Sequence, residues 1–326
     1  MEKIILDCDP GHDDAIAMMI AAAHPNIELL GVTTVAGNQT VDKTTRNALS
    51  VCAIGGFQVP VARGCDRPMI QPQVIADDIH GETGLDGPTL PDPVFDLDPR
   101  HAIDFIIDTV MEHEPGTVHL VPVGPLTNIG MAMRKEPRIV ERVKSVCLMG
   151  GAYTRGNSTP TAEFNIFADP EAASDVFRGA WPVTMVGLDL THQALATQEM
   201  QDRVRAVGGD LAHFVLDIWE FVSGTHLEYG GLPAAAIHDA CCVAYLADSK
   251  VFTTEKAHVD VELRGDWTRG MTVTNFANVP GMRHTGIGGY GLGDATTDVA
   301  MQLDWPRFAD IIVDSIRTLT EAKQQR

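Results

Sequence analysis

The sequence predicts an α/β protein: a mainly parallel central sheet flanked by helices, with a small antiparallel addition in the C-terminal third. Three observations carry that prediction. Short apolar runs alternate with helical patterns from the N-terminus past residue 180, which is the pattern of strands joined by crossover helices. No linker, repeat or low-complexity tract interrupts the alternation, so residues 1–326 read as a single domain. Two further apolar runs flank the tight turn Arg264-Gly265-Asp266, as in an antiparallel pair.

Each element has its own warrant. Lys3–Asp7 (KIILD) is a short apolar run and reads as a buried strand. Asp13–Ala23 follows as a helix of small and apolar residues, Ile27–Val35 as a second strand, Val41–Gly55 as a second helix and Val59–Ala62 as a short third strand. Proline and glycine crowd residues 63–100, which read as a long surface excursion of the kind that forms lids or binding loops. Helix His101–Glu114, strand Val118–Val123, helical turns from Leu126 to Val143 and strand Ser145–Met149 resume the alternation. Pro170–Arg178 is helical, with proline early, where its missing N–H does no harm. Strand Pro182–Val186 closes the regular part. Beyond it come helix Leu211–Tyr229, a loop rich in glycine, proline and alanine, a helix from Asp239, strands Val259–Leu263 and Met271–Thr274, and a helix from about Trp305.

Composition narrows the function. Hydrophobic residues are 44% and charged residues 21% of the chain, so it can bury a sizeable core. Lys+Arg is 24 against Asp+Glu 44, a formal net charge of −20. That field repels phosphate backbones and anionic lipid, so neither a nucleic acid nor a membrane surface is expected as a partner. No apolar run is long enough to span a bilayer, no secretory signal is apparent, and a cytoplasmic setting is expected. The six cysteines (8, 52, 65, 147, 241 and 242) lack metal-ligand spacing and read as free thiols.

Part of the acid is concentrated. In an open α/β sheet, ligands bind beyond the carboxyl ends of the strands. There the first strand runs into Asp7-Cys8-Asp9-Pro10-Gly11-His12-Asp13-Asp14. A helix N-terminus favours one or two acids through its dipole. Four carboxylates in eight residues repel one another unless something positive sits among them. All-oxygen ligation points to a hard cation, Ca²⁺ or Mg²⁺. Asp239, at the start of a later helix, and a backbone carbonyl at the end of strand Val118–Val123 are further donors. A second polar group, Asn157 to Asn165, follows strand Ser145–Met149 and is suited to gripping sugar hydroxyls.

Taken together, these residues resemble the inosine-uridine-preferring nucleoside hydrolases over nearly the full length of the chain. The match comprises Asp7–Asp14, Ala36-Gly37-Asn38-Gln39, His80-Gly81-Glu82-Thr83-Gly84, Val123-Gly124-Pro125-Leu126-Thr127-Asn128, Met149-Gly150-Gly151, Ala162-Glu163-Phe164-Asn165 and His238-Asp239. The resemblance implies the Rossmann-like fold of that family and hydrolysis of the N-glycosidic bond of ribonucleosides to free base and ribose. It implies a tightly bound Ca²⁺ on Asp9, Asp14, the Val123 carbonyl and Asp239, with Asp9 taking a proton from the water the ion holds. Asp13, Asn165 and Asp239 would hold the 2′ and 3′ hydroxyls, and Asn157 and Glu163 the 5′ hydroxyl, beside Phe164. Asn38 would steady the water and the aspartates. His80 and His238 would lie near the leaving base, with His238 the candidate general acid. Tyr229, in the loop Thr225–Ile237, is expected to stack on the base. Both histidines together suggest uridine and inosine as substrates, with a pyrimidine bias. A homo-oligomer, dimer or tetramer, is expected from the same resemblance.

Two other readings use some of the same residues. A haloacid-dehalogenase-like phosphohydrolase also carries D-x-D after its first strand and a later G-D-x-x-x-D, here Gly293-Asp294 to Asp298. However, Pro10 and the glycine-rich stretch before Gly293 fit that class poorly. The other is a Ca²⁺-dependent nucleoside-binding protein that has lost catalysis, and the presence of Asp9 counts against that loss. Gly286–Gly291 formally fits G-x-G-x-x-G but follows no credible strand.

Overall fold

The computed structural model describes residues 1–225, 231–276 and 294–325. Tyr229 and the Gly286–Gly291 motif lie outside them. In chain order the described elements begin with β1 (Glu2–Cys8), α1 (His12–Ala23), β2 (Ile27–Thr34), α2 (Val41–Gly55), β3 (Val61–Arg63) and α3 (Asp77–His80). Next come α4 (Ala102–Glu112), β4 (Val118–Pro122), α5 (Thr127–Lys135), α6 (Ile139–Arg142), β5 (Val143–Met149), α7 (Phe164–Ala168), α8 (Pro170–Arg178) and β6 (Val183–Val186). The last are α9 (Leu188–Thr191), α10 (Gln198–Val207), α11 (Gly209–Thr225), α12 (Ala240–Ala247), β7 (Phe252–Val261), β8 (Thr272–Asn275), β9 (Thr297–Leu303) and α13 (Trp305–Gln324).

The strands form one sheet in the order β3-β2-β1-β4-β5-β6-β9-β7-β8. The seven from β3 to β9 in that order run parallel, while β7 is antiparallel to β9 and β8 to β7. The expected parallel sheet with an antiparallel addition is therefore the architecture found. Three details differ. β7 begins at Phe252 rather than Val259 and is ten residues long. β9 is a strand where none was expected, and it is the element that joins the antiparallel pair to the parallel sheet. Helices α7, α9 and α10, and α3 inside the long excursion, are additional.

Period-two alternation sorts β1 between the two faces of the sheet. Ile4, Leu6 and Cys8 pack into the core shared with α1, α11, α12 and α13, and Ile5 into the core shared with α4, α5 and α8. The strand order reverses between β1 and β4, each of which is extended outward on its own side. At such a reversal the connections leave to opposite faces and open a crevice beyond the carboxyl ends of the strands. The residues just past β1 and β4, Asp9 and Val123, stand at that crevice. All six cysteines are free thiols, five of them buried.

Candidate active site

A cavity of about 630 Å³ opens beyond the β1 and β4 ends. Its walls include Asp13, Asn38, His80, Val123, Asn157, Glu163, Phe164, Asn165, His238 and Asp239, so the fold brings together residues spread over more than 220 positions.

The aspartates are set by the β1–α1 turn. Asp14 acts back on that turn: its Oδ1 accepts from the Asp9 N–H at 3.1 Å and its Oδ2 from the Gly11 N–H at 2.9 Å. Asn38, delivered by the β2–α2 loop, donates its backbone N–H to Asp9 Oδ2 at 2.7 Å and its side-chain amide to Asp14 Oδ2 at 3.2 Å. The Asp9 carboxylate lies so close to the backbone of Gly37 and Gly124 that a Cβ at either would overlap its oxygens. Glycine at both positions lets Asp9 sit between the two loops. Asp13, Asp14 and Asp239 each place a carboxylate oxygen within 4.8 Å of the others. Asp13, not expected among the cation's ligands, thus belongs to this trio, and Asp9, expected among them, does not.

Asp9, Asp14 and Asp239 are 1%, 0% and 4% exposed. Burial first, then neighbouring carboxylates, holds the Asp9 and Asp239 carboxyls well above the usual range. The same causes push Asp13 up to about 7. Burial also raises Asp14, against the pull of the backbone amide of Gly11. Among the described residues no lysine or arginine forms a salt bridge with any of the four. Buried like charges without a counter-ion are strongly unfavourable. The donors are all oxygen, so the set fits a hard divalent cation.

Around this cluster, Asn165 donates its side-chain amide to the Val123 carbonyl at 2.7 Å and the Met149 carbonyl at 3.1 Å. It thereby locks the ends of β4 and β5 together and keeps its Oδ1 for other partners. Glu163 is the N-cap of α7: its carboxylate accepts from the backbone N–H groups of Asn165, Gly151 and Ile166 at 2.9, 2.9 and 3.1 Å. Asn157 Oδ1 accepts from the Phe164 N–H at 2.9 Å. Both side chains expected to hold a hydroxyl therefore also tie the 157–165 loop. On the opposite wall, His238 Nδ1 lies 2.7 Å from Thr191 Oγ1, and its ring meets His192 edge-on at 5.9 Å. Asp298, the last aspartate of the phosphohydrolase reading, is paired with Lys256 at 2.9 Å on the sheet and takes no part in the cluster.

Sequence reasoning missed His12, His192 and Trp219, which also line the cavity. His192 follows β6, so the strand-end rule that singled out the aspartates could have found it. His12 was within the first motif but was given no role.

The sequence pattern of the inosine-uridine preferring nucleoside hydrolases matches residues 4–310. The chain belongs to that family. As a nucleoside hydrolase it is 50% identical over 320 residues to the inosine-uridine preferring nucleoside hydrolase of Crithidia fasciculata, covering 98% of each chain. It is 45% identical over 315 residues to the pyrimidine-specific ribonucleoside hydrolase RihB of Shigella flexneri, covering 97% of each. Among solved structures, the purine-preferring ribonucleoside hydrolase from Gardnerella vaginalis superposes with a TM-score of 0.87 at 31% identity, over 98% of this chain and 100% of that one. The phosphohydrolase reading is set aside by these matches. Among the described residues, no helix is long and apolar enough to cross a membrane.

Proposed function

We propose that this nucleoside hydrolase is Ca²⁺-dependent and cleaves uridine and inosine, with a bias toward pyrimidine nucleosides, to free base and ribose. One observation carries the reading: three buried aspartates, Asp9, Asp14 and Asp239, gather with half-buried Asp13, none of them in a salt bridge among the described residues, at a cavity of nucleoside size where the strand order reverses.

Asp9, Asp14, Asp239 and the Val123 carbonyl would hold the cation, with Asp13 beside them. When bound, the cation lowers the pKa of water and orients it for attack. Asp9, fixed by the Asn38 amide and the two glycine loops, takes the proton as the attack proceeds. Asp13, Asn165 Oδ1 and Asp239 grip the 2′ and 3′ hydroxyls, and binding of the sugar becomes alignment of its anomeric carbon. Carboxylates below the ring favour the positive charge that develops there. Attack by water predicts inversion at that carbon. Asn157 and Glu163 face the 5′ hydroxyl, and Phe164 walls the ribose. Above the ring, His238, held through Nδ1 by Thr191 Oγ1 at 2.7 Å, is the general acid: its imidazolium gives the Nε2 proton to the departing base and is left as the neutral ring. The same proposal includes a homo-oligomeric enzyme, dimer or tetramer, working in the cytoplasm.

The test is ribose release from uridine, cytidine, inosine and adenosine before and after chelation. Activity is expected to vanish on chelation and return with Ca²⁺, with uridine and inosine the better substrates. Full activity after exhaustive chelation would overturn the metal assignment. Ca²⁺ binding with no ribose from any of the four would leave a binding protein.

A further inference from the structure

We propose that His12 is a positioning residue that holds His80 in its Nδ1–H tautomer and so makes neutral His80 an acceptor toward the base. The inference rests on the reading in which His80 and His238 both lie near the base, and it divides labour between those two histidines.

His12 opens α1 and is 2% exposed. Its ring stacks on His80 at 5.2 Å and on Phe221 at 5.2 Å, with interplanar angles of 23° and 11°. Both ring nitrogens have a polar contact: Nε2 is 2.8 Å from the Asp86 carbonyl oxygen, and Nδ1 is 3.0 Å from Nδ1 of His80. A carbonyl oxygen only accepts, so His12 Nε2 carries a hydrogen. In the neutral ring the other nitrogen then has a lone pair and accepts. His80 Nδ1 must therefore be the donor. Turning the His12 ring over would set a carbon against each partner and lose both bonds.

The chain of command thus starts at a backbone carbonyl, passes through His12 and ends at His80. Its anchor is firm. The Asp86 carboxylate accepts from the Glu82 N–H at 2.9 Å and the Thr83 N–H at 3.1 Å, closing the turn after α3. The Nδ1 edge of His80 is also set against backbone, since a Cβ on Gly11 would come within 2.6 Å of that nitrogen. With Nδ1 protonated and committed, exchange between His80 and a base runs through Nε2, which in the neutral ring accepts. His80 then reads an N–H of the base, such as the imide N–H of uracil or the ring N–H of hypoxanthine. It does not supply the proton to the leaving group, and that task falls to His238.

Nitrogen-15 spectra of the histidine-labelled enzyme at about pH 8, where unperturbed histidine is neutral, read the tautomer directly. A His80→Gln variant assigns the signal. The native enzyme is expected to show His80 with its hydrogen on Nδ1. His12→Phe, which keeps the stacked ring and removes both nitrogens, is expected to move His80 toward the Nε2–H form. It should raise KM for uridine roughly tenfold, as loss of one oriented hydrogen bond does, with kcat changed less than about twofold. His12→Gln, which carries an acceptor and a donor on one planar group, is expected to restore both tautomer and KM. His80 as the Nε2–H form in the native enzyme would overturn the proposal without recourse to any variant. So would a His12→Phe enzyme whose His80 signal is unmoved, or whose kcat alone falls. The spectra do not depend on turnover, so failure of the native enzyme to release ribose would instead count against the proposed function.

Discussion

Two groups of acids in this fold are held in different ways. Asp9, Asp13, Asp14 and Asp239 crowd one another beyond the β1 and β4 ends, and the donors that reach them are amides, mostly of the backbone. Asp7 and Asp169, in the layer shared with α5 and α8, are both 0% exposed and stand among donors of their own. Asp7 accepts from the Thr33 hydroxyl and from the Asn128 amide at 2.7 Å. Asp169 accepts from the Thr127 hydroxyl at 2.7 Å and from the Met69 and Ala172 N–H groups at 2.9 and 3.1 Å. All six are aspartates, five of them buried and Asp13 half-buried; the neighbours differ. A buried acid with hydroxyl and amide partners holds the scaffold together. A buried acid whose neighbours are other acids is kept for a cation and a substrate.

The largest effect should come from breaking the crowded group. Asp9→Asn keeps the shape and the bond from the Asn38 N–H but removes the proton acceptor. Ribose release is expected to fall by roughly 10² to 10⁴, the usual contribution of general-base catalysis. Thermal stability without the cation should hold or rise, because one of four repelling charges is gone. A variant that melts earlier without cation, yet keeps its activity, would place Asp9 with the scaffold acids.

The scaffold group should respond the other way. Asp169→Ala removes the α8 N-cap and leaves the buried Thr127 hydroxyl without its acceptor. Loss of a cap and of a buried partner together costs about 1–3 kcal/mol. Equilibrium unfolding in urea reads that loss. KM and kcat at a temperature where the variant is folded should stay within about twofold of the parent, because Asp169 touches no wall of the cavity. A cost confined to kcat would erase the distinction drawn here.

Adjacency explains what was legible in the sequence. Asp7 to Asp14 stand in one run, so their crowding shows without a structure, and the strand-end rule places them. The sequence could not separate Asp7 from Asp9, because the donors to Asp7 Oδ1 are 26 and 121 residues away. His12 was opaque for the same reason: its meaning lies in His80 and Asp86, 68 and 74 residues on. In the fold, the parallel strands are apolar runs buried on both faces and announce themselves. The first seven residues of β7, Phe252–His258, mix exposed charges with buried positions and read as surface. β9 emerges from a glycine-rich stretch as a half-polar strand, and pairing with β6 rather than composition makes it one.

Glu163 belongs to neither group by inspection, so it gives the sharpest and smallest test. It lines the cavity, yet its carboxylate is 2% exposed and accepts three backbone N–H groups like a scaffold acid. Burial outweighs those bonds and pushes its pKa up to about 7, from 4.5. The folded enzyme therefore binds this proton more tightly than the unfolded chain does. The stability contributed by Glu163 is full below about pH 4.5, declines as pH rises toward 7 and is gone above it. A shift of that size corresponds to at most about 3 kcal/mol. Glu163→Gln should flatten the fall in stability between those two pH values, as followed by urea unfolding at each pH. If Glu163 also holds the 5′ hydroxyl, KM for uridine rises severalfold, the value of one hydrogen bond, while KM for 5′-deoxyuridine stays put. Equal changes for both nucleosides would assign Glu163 to the scaffold alone, and the rule of neighbours would then hold inside the cavity as well as behind it.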